Sequence, residues 1–335
     1  MNKILIIDPG KGWGQFVSKM YCYQKLSEHT NSKIIFLTKK STQAEHYLKS
    51  LSFCEDVLHI DEPKKGIKYI FSNIKSIIKN IKKINQFQFE KCYVFHPSLR
   101  YLFIAYLSNI NKIWGLGFKF QNFFLKKNKR FYSSFFSKTK GDDEALEAVK
   151  KITNSHIIDF QPLSSVENSL RDTVGIIIAA SGNEKRWAIS NYLKIIQFLK
   201  EKNYKKFLII SGLDQSKDEN LIKEKFIQNT DIIFTSDKKI SDVIPYLKKC
   251  KFCIGNDTGF AHLSVNLDIE TLVIQGDCPP QSYSKLLKHV DIEPDVTRSP
   301  TSIHTIKIEK VLDELSKLLN RRGGRVVEGA RLESV

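Results

Sequence analysis

The chain has 335 residues, of which 41% are hydrophobic and 27% are charged, and its formal net charge is +17. This length suits two domains of ordinary size, and the composition excludes a disordered or fibrous chain. The six cysteines are expected to be reduced thiols rather than a disulfide framework. The most apolar run, 99–110, is too short to span a bilayer. The few apolar residues near the amino terminus do not make a secretory leader, so we expect a cytoplasmic protein.

The positive charge is concentrated in the first half of the chain. Residues 1–160 carry a net charge of +14, whereas residues 161–320 carry +1. We therefore expect the first half to meet an anionic partner or a negatively charged surface. Nucleic acid is not the expected partner, because the sequence has no zinc-finger spacing, no aromatic motif of the RNP type and no basic region followed by heptads.

Apolar runs and helical periodicity alternate along the first half, which is typical of an α/β domain. The predicted strands are 3–7, 33–38, 57–60, 92–95 and 112–114. The predicted helices are 16–28, one opened by a capping box at 42–45, 67–84 and 99–107. In helix 67–84, isoleucines recur on one face with lysines between them. This pattern indicates a helix packed on a sheet with its lysines in water, and a face for a membrane surface or an acidic substrate is the alternative.

Segment 118–140 interrupts the alternation with a mixture of aromatic and basic residues. We expect a loop that meets a large, anionic and partly apolar partner, and a mobile loop that folds its rings inward is the alternative. A short acidic helix is predicted to begin at 142–144. The region 155–171, which contains Pro162 and several serines, is the expected connection between two domains.

The alternation resumes in the second half. The predicted strands are 174–180, 207–210, 232–235, the run that ends at Ile254, and 271–274. The predicted helices are one capped by Ser190, 218–226, one from Ser241 to 249, one from Gly259, and 308–319. Two consecutive α/β sets predict two parallel-sheet domains that face each other across a cleft, with ligands at the carboxyl ends of the strands.

An Asp-Thr-Gly turn follows the apolar strand that ends at Ile254 and opens a helix. A helix start offers backbone N–H groups and the positive end of the helix dipole, and Gly259 has no side chain, so the turn predicts an anion site. Asp257 is expected to cap the helix by accepting from the N–H of Phe260. His262 lies on the same helical face as Gly259 and can donate a further hydrogen bond. The alternative is an ordinary capped helix whose histidine is satisfied in the core.

Three runs carry a family resemblance: Lys-Arg-Trp at 185–187, SDVIPYL at 241–247 and IGNDTGFAHL at 254–263. With these runs the sequence resembles glycosyltransferase family 9, which contains the lipopolysaccharide heptosyltransferases. The resemblance is specific over 174–280 and looser over 1–120.

The resemblance implies a GT-B fold with two Rossmann-like domains, an acceptor domain at 1–158 and a nucleotide-sugar donor domain at 159–320. It also implies inverting, metal-independent transfer of heptose from ADP-heptose to a lipid A-core acceptor. The expected partners are the nucleotide-diphosphate sugar, an anionic glycolipid and, peripherally, the inner face of the membrane. No metal and no cofactor beyond the nucleotide-sugar co-substrate is expected. Residues 321–335 hold four of the nine arginines and are expected to be a disordered or extraneous tail.

The departure of a nucleoside diphosphate requires neutralisation of its charge. Without an Asp-x-Asp motif for a metal, cationic side chains and helix N–H groups must supply it. Lys185 and Arg186 follow the first strand of the second domain, and topology favours their convergence with the turn at Thr258; a solvated loop pair is the alternative. Glu219 is an alternative to Asp218 for holding a ribose hydroxyl. The predicted donor-binding residues are Ser181, Lys185, Arg186, Asp218, Asp257, Thr258, Gly259 and His262.

The general base is the point at which this sequence departs from the family. The family resemblance implies an aspartate in the turn after the first strand, but Gln15 stands there, and an amide cannot take a proton. Asp8 at the end of that strand is the alternative base, or it only braces the glycine-rich turn. The catalytic candidates are therefore Asp8, Gln15 and Lys185. The predicted acceptor-binding residues are Arg100, Lys126, Lys127 and Arg130.

Three other functions compete with this prediction. A catalytically impaired, transferase-like binding protein would explain Gln15. A family member that uses another nucleotide sugar would keep the same site. A nucleotide-binding oxidoreductase is suggested by the glycines at 10–14, but these lack the G-x-G-x-x-G spacing.

Overall fold

The computed structural model divides the chain into two compact units, Met1–Leu163 and Ser164–Val335. The residues that the structure describes are 2–10, 12–49, 51–61, 70–96, 98–115, 131–133, 144–155, 162–163, 171–226, 228, 231–281 and 283–332. Within these ranges, no helix has both the length and the apolar character needed to cross a bilayer.

The first unit is built on a parallel sheet of six strands. The strands are β1 Asn2–Ile7, β2 Ser32–Thr38, β3 Cys54–His59, β4 Phe89–Val94, β5 Ile110–Gly115 and β6 Phe131–Ser133. Their order across the sheet is β3-β2-β1-β4-β5-β6. The helices described in this unit are α1 Trp13–Val17, α2 Met20–Thr30, α3 Glu45–Leu48, α4 Ile70–Asn85, α5 Leu99–Leu107 and α6 Glu144–Thr153.

The second unit repeats this plan. The strands are β7 Thr173–Ile177, β8 Lys206–Ile210, β9 Asp231–Phe234, β10 Cys250–Asn256, β11 Glu270–Gln275 and β12 Leu287–Asp291, all parallel. Their order is β12-β11-β10-β7-β8-β9. The helices described here are α7 Ile189–Glu201, α8 Ser216–Phe226, α9 Ile240–Leu247, α10 Gly259–Asn266 and α11 Ile308–Leu332.

The strands form because short apolar runs are buried on both faces of each sheet. In β1, residues 4–7 are fully buried, which is typical of parallel strands covered by helices on both sides. On one side of the first sheet, α4 and α5 pack into a shared core that includes Leu102. On the other side, Phe16 at α1 packs edge-on against Phe36 of β2.

Each sheet has a point where the strand order reverses, between β1 and β4 in the first unit and between β7 and β10 in the second. Both orders are those of a Rossmann fold, in which ligands bind beyond the carboxyl ends of the strands at the reversal. A ligand site is therefore expected at the turn after β1 in the first unit and at the turns after β7 and β10 in the second.

The structure corrects several predicted helix starts. The single helix predicted at 16–28 is two helices, α1 and α2, interrupted at residues 18–19. The capping box predicted at 42–45 is wrong, because Lys40–Thr42 form a 3-10 turn and α3 follows Ala44 without a side-chain cap. Helix starts are the least certain feature of a sequence pattern, because tertiary contacts select the first turn.

Ser190 and Ser241 are not caps either. They lie inside α7 and α9, and the N-cap positions are occupied by Ala188 and Lys239. Two short edge strands, β6 and β12, were not predicted. The final helix, α11, is longer than the predicted 308–319 and includes residues 321–332, which the sequence predicted to be a disordered or extraneous tail.

Candidate functional site

The turn after β7 is fixed by two buried side chains. The indole Nε1 of Trp187 donates to the carbonyl oxygen of Ile306 at 2.9 Å. Asn256, the fully buried last residue of β10, accepts from the backbone N–H of Trp187 at 3.2 Å and from the hydroxyl of Tyr192 at 2.7 Å. These bonds hold the 3-10 turn Asn183–Lys185, which carries a predicted cation, next to the end of β10.

The close approach of β10 to β7 depends on Gly255. A Cβ atom at this position would lie 2.0 Å from the carbonyl oxygen of Ile177, and the backbone φ angle is +158°. Only a residue without a side chain fits such an approach. The glycine thus allows the two strands at the reversal point to present their ends side by side.

The helix that follows β10 begins differently from the prediction. Thr258 is the N-cap residue of α10, and it makes no side-chain capping bond. The prediction that Asp257 caps the helix at the N–H of Phe260 is wrong, because Asp257 bonds His262 and Gln275 instead. The Oγ1 atom of Thr258 is buried and has no hydrogen-bond partner among the residues that the structure describes. A buried, unused hydroxyl at a helix amino end is suited to an anionic ligand.

Asp257 and His262 form the centre of a buried hydrogen-bond network. Nε2 of His262 lies 3.2 Å from Oδ1 of Asp257, and Nδ1 lies 2.8 Å from the hydroxyl of Tyr283. Gln275 donates to the other carboxylate oxygen of Asp257 at 3.0 Å. Burial alone would raise the pKa of Asp257, but the hydrogen bond and charge of His262, with two weaker donors, lower it to about 2. Asp257 is therefore a structural anion that fixes the histidine ring.

Lys185 reaches the same neighbourhood from the turn after β7. Its Nζ atom lies 2.5 Å from Oδ2 of Asp277, and this hydrogen bond raises the pKa of Lys185. Among the described residues, Asp257, Asp277 and Cys278 each offer one possible metal-ligand atom, and these atoms lie within 4.8 Å of one another, close enough for a metal ion. Both carboxylates, however, already have side-chain partners, Lys185 for Asp277 and His262 for Asp257. Burial also raises the pKa of the Cys278 thiol, so a metal ion would have to displace a proton there.

Arg186 bonds one residue of its own turn and one in the turn after β8. Its guanidinium donates to Asp214 and to Asn183, each at 2.6 Å. The hydrogen bond from Arg186 lowers the pKa of Asp214, which lies in the turn after β8. The side chain of Arg186 is 14% exposed, so the solvated-loop alternative does not describe it.

The predicted ribose-binding residues lie at the ends of β8 and β9. Asp218, in the first turn of α8, accepts from Gln215 at 3.3 Å. Its alternative, Glu219, is 3% exposed and accepts from the hydroxyls of Ser211 and Ser236. These bonds make Glu219 a brace between the two strand ends, and Asp218 is the more accessible carboxylate. Ser181 is exposed in the turn after β7.

In the first unit, Asp8 is buried at the end of β1. One carboxylate oxygen accepts from the backbone N–H of Gly10 at 3.0 Å. The other accepts from Lys19 at 2.6 Å and from the hydroxyl of Tyr23. Burial and the adjacent Asp8 raise the pKa of Tyr23 well above its usual value, so this hydroxyl remains a donor. The carboxylate of Asp8 accepts from three donors and is fully buried. This favours the interpretation that Asp8 braces the glycine-rich turn.

The remaining predicted residues of the first unit are separated from Asp8 along the chain. Gln15 is exposed on α1. Arg100 is exposed in the first turn of α5, which follows β4 at the reversal point of the first sheet. Lys126, Lys127 and Arg130 lie outside the described residues.

Several polar residues around the turn after β7 and the start of α10 were not singled out from the sequence. Asn256 looks like part of a turn, but it is a buried clamp between β10 and the turn after β7. Asp277 comes directly after β11 and Gly276, and a carboxylate at the end of a strand beside β10 is the signal that could have found it. Gln275 and Tyr283 had no signal, since only the fold brings them to Asp257 and His262.

A comparison with protein families matches residues 128–298 to glycosyltransferase family 9 (heptosyltransferase), which is half of the chain. The chain belongs to glycosyltransferase family 9. It is therefore a glycosyltransferase, as the sequence predicted, and the matched region contains the turn after β7, the start of α10 and the end of β11. A search of curated proteins found no match.

Solved structures of family 9 proteins have the same fold as this member. The family 9 glycosyltransferase from Veillonella parvula is 13% identical, covers 96% of this chain and 98% of its own, and has a TM-score of 0.72. Heptosyltransferase II of E. coli is 16% identical, with 96% and 99% coverage and a TM-score of 0.71. The E. coli heptosyltransferase WaaC with ADP is 12% identical, with 94% and 99% coverage and a TM-score of 0.70. The predicted GT-B fold with two Rossmann-like domains is thus confirmed.

Proposed function

We propose that the protein moves heptose from ADP-heptose to an anionic, lipopolysaccharide core-type acceptor, with inversion and without a metal ion. In this reaction an acceptor hydroxyl oxygen forms a bond to the anomeric carbon as the bond from that carbon to the diphosphate breaks. The hydroxyl proton passes to a base, and ADP leaves with the bonding electrons.

The start of α10 carries the proposal for the donor. The unused hydroxyl of Thr258 and the amino end of the helix lie at the strand reversal of the second sheet. Lys185 and His262 belong to the same cluster of ion pairs. Positive groups placed where the leaving diphosphate gains charge lower the barrier. The choice of nucleotide is supported by WaaC, which shares the fold and is solved with ADP and with ADP-2-deoxy-2-fluoro heptose.

The first unit supplies the reason for an anionic acceptor. Residues 1–160 have a net charge of +14, and Arg100 is exposed beyond the end of β4. A positive surface of this size raises the local concentration of phosphorylated glycolipid and steers its approach.

The direct test is transfer by chelator-treated protein. The purified chain, stripped with EDTA, is mixed with ADP-heptose and heptose-deficient core lipid, and the product is followed by mass spectrometry and ADP release. We expect a product with one added heptose whose anomeric configuration, measured by NMR, is opposite to that of the donor. Loss of turnover that only a divalent ion restores would contradict metal independence. Turnover with UDP- or GDP-sugars alone would contradict the choice of donor.

One observation favours a second candidate, a transferase-like protein that binds without turning over. Gln15 cannot act as a base, and Asp8 already accepts three hydrogen bonds. Calorimetric binding of ADP-heptose, together with no product from any acceptor, would support this candidate. Product formation excludes it.

A further inference from the structure

Large apolar side chains are exposed on two neighbouring helices of the first unit. Six of the eight large hydrophobic side chains that are exposed in the described part of the chain lie there. They are Ile74 (49% exposed), Ile78 (45%), Leu99 (53%), Phe103 (51%), Tyr106 (37%) and Leu107 (45%). Soluble proteins seldom group such side chains unless the patch meets a partner or a membrane.

The six side chains form one surface, here called the α4–α5 face. On α5 the exposed positions, 99, 103, 106 and 107, have the spacing of a single helical stripe. The opposite stripe of α5, which includes Tyr101 and Leu102, packs into the same core as Ile77 and Ile84 of α4. Because α4 and α5 contact each other on one side of the sheet, their outward stripes are neighbours.

The α4–α5 face is positively charged as well as apolar. Lys75, Lys79 and Lys82 are exposed and alternate with Ile74 and Ile78 on the outward side of α4. None of these lysines forms an ion pair with a residue that the structure describes, whereas the next lysine, Lys83, pairs with Asp61. The sequences of α4 and α5 contain no acidic residue.

We propose that the α4–α5 face docks on the surface of an anionic bilayer. Leucine and phenylalanine side chains enter the boundary between headgroups and acyl chains, and the lysines contact lipid phosphates. Stable attachment at a membrane surface requires an apolar and a basic signal together, and this face has both. A second copy of the chain is a poor occupant, because a symmetric contact would bring two sets of unpaired lysines together.

The test measures binding of the full chain to lipid vesicles, without donor or acceptor, so that its result is independent of the proposed transfer. Vesicles of phosphatidylcholine mixed with phosphatidylglycerol are floated with the protein at low and high salt, beside vesicles of phosphatidylcholine alone. We expect binding to the anionic vesicles that weakens with salt, since screening acts on the lysines.

Two variants with matched controls locate the binding surface. Lys75→Gln/Lys79→Gln/Lys82→Gln should weaken vesicle binding on the order of 100-fold, at about fivefold per lysine. Phe103→Ser/Leu107→Ser should weaken it about tenfold or more, because two apolar anchors are lost. The controls remove equivalent groups from the second unit and should bind as the unaltered chain does. They are Lys194→Gln/Lys217→Gln/Lys225→Gln and Leu213→Ser/Leu221→Ser.

Circular dichroism of both variants confirms that they are folded, since each substitution is at an exposed position. Unchanged vesicle binding by the two variants would overturn the proposal, and so would the absence of binding by the unaltered chain. A dimer measured by light scattering that Phe103→Ser/Leu107→Ser converts to a monomer would also overturn it, in favour of a contact between copies. Release of the protein from anionic vesicles by soluble glycerol phosphate, at the same phosphate concentration as added vesicles, would overturn it in favour of a site for free phosphate.

Discussion

At the scale of single residues, the two cations proposed for the leaving diphosphate already have carboxylate partners. Lys185 bonds Asp277, and His262 bonds Asp257. A diphosphate that joins these contacts, sharing each side chain with its carboxylate, leaves no buried charge without a partner, which would otherwise be costly. The two contacts therefore keep both side chains in position, and the bond to Asp277 raises the pKa of Lys185.

Replacing Lys185 by alanine tests this arrangement. We expect kcat to fall on the order of 100- to 1,000-fold, because one charge-stabilising donor of the transition state is lost. The melting temperature should change little, since Lys185 is more than one-third exposed. Lys206→Ala is the matched control, because Lys206 pairs with Asp172 in the same unit but at the amino end of β8, whereas Lys185 follows the carboxyl end of β7. Equal losses of kcat in both variants would remove Lys185 from the mechanism.

The substitution Asp8→Asn distinguishes a catalytic base from a residue that only supports the turn after β1. If Asp8 braces the turn, the change leaves Lys19 and Tyr23 without their anion and should lower the free energy of unfolding by roughly 1–3 kcal/mol. The pH dependence of kcat should keep its shape. Asp56→Asn, at an exposed ion pair of the same unit, should cost no more than about 0.5 kcal/mol in urea unfolding. An unchanged stability with turnover abolished would make Asp8 the base.

The lowered pKa of Asp257 makes stability depend on acid. Its folded pKa of about 2 lies below the unfolded value near 3.8. The carboxylate therefore stabilises the fold by about 2 kcal/mol above pH 4, and this contribution is lost as pH falls towards 2. Between pH 5 and pH 3, the unaltered chain should lose about 1 kcal/mol more than Asp257→Asn does in urea unfolding. Identical pH profiles for the two would contradict the assigned pKa, and the exposed Asp237→Asn should match the unaltered chain.

The sequence singled out several residues of the cluster around the start of α10 but not the bonds between them. The turn at 257–259 and the cations at 185–186 could be predicted because strand ends and helix starts have local signatures. The role of Asp257 as a cap was wrong, since a local pattern cannot show that Gln275 and His262 compete for the same carboxylate. Partners that are distant in sequence are chosen by the fold.

At the scale of elements, the pairing of β7 with β10 positions the proposed donor site, and Gly255 permits it. Gly255→Ala should lower the free energy of unfolding by at least about 2 kcal/mol, because the added Cβ meets a backbone oxygen of Ile177 that cannot rotate away. Gly12→Ala is the control, since a Cβ there has open space and an extended backbone, and its effect should stay within about 0.5 kcal/mol. Urea unfolding gives both values. A cost below 1 kcal/mol at Gly255 would show that the strands can separate locally.

The interior strands of the two sheets were predicted better than the edge strands. β1 and β10 contain continuous apolar runs, 4–7 and 252–254, because helices cover both of their faces. The edge strand β12, Leu287–Asp291, has only two buried residues, Leu287 and Val290, among partly exposed polar ones, and it was missed. The break between α1 and α2 was missed for another reason. It falls at Lys19, whose side chain bonds the buried Asp8, so a tertiary ion pair and not local periodicity marks the position.

At the scale of the whole molecule, both units have the same strand order, yet their charges differ. The first 160 residues carry +14 and the next 160 carry +1. A shared fold with different surfaces fits a division of labour in which one unit meets an anionic acceptor and membrane and the other holds the nucleotide. The charge of the sequence predicted an anionic partner for the first half only, whereas the exposed stripe of α5 emerged only when its inward face was known.

The carboxyl-terminal helix offers a test at the same scale, because the buried side chains that the structure describes in it end at Leu318. Val311, Leu315 and Leu318 of α11 are fully buried in the core of the second unit, whereas Asn320 is exposed. A chain that ends at Asn320 keeps these contacts, so its melting temperature should stay within about 2 °C of the full chain. Its kcat should be unchanged.

A chain that ends at Lys310 is the matched comparison. It removes all three buried side chains of α11, each of which contributes roughly 1.5–3 kcal/mol by burial. We expect that variant to unfold or precipitate at temperatures where the chain ending at Asn320 remains native. If ending the chain at Asn320 were as damaging, residues 321–335 would be an integral part of the second unit, and the prediction that they are extraneous would be wrong.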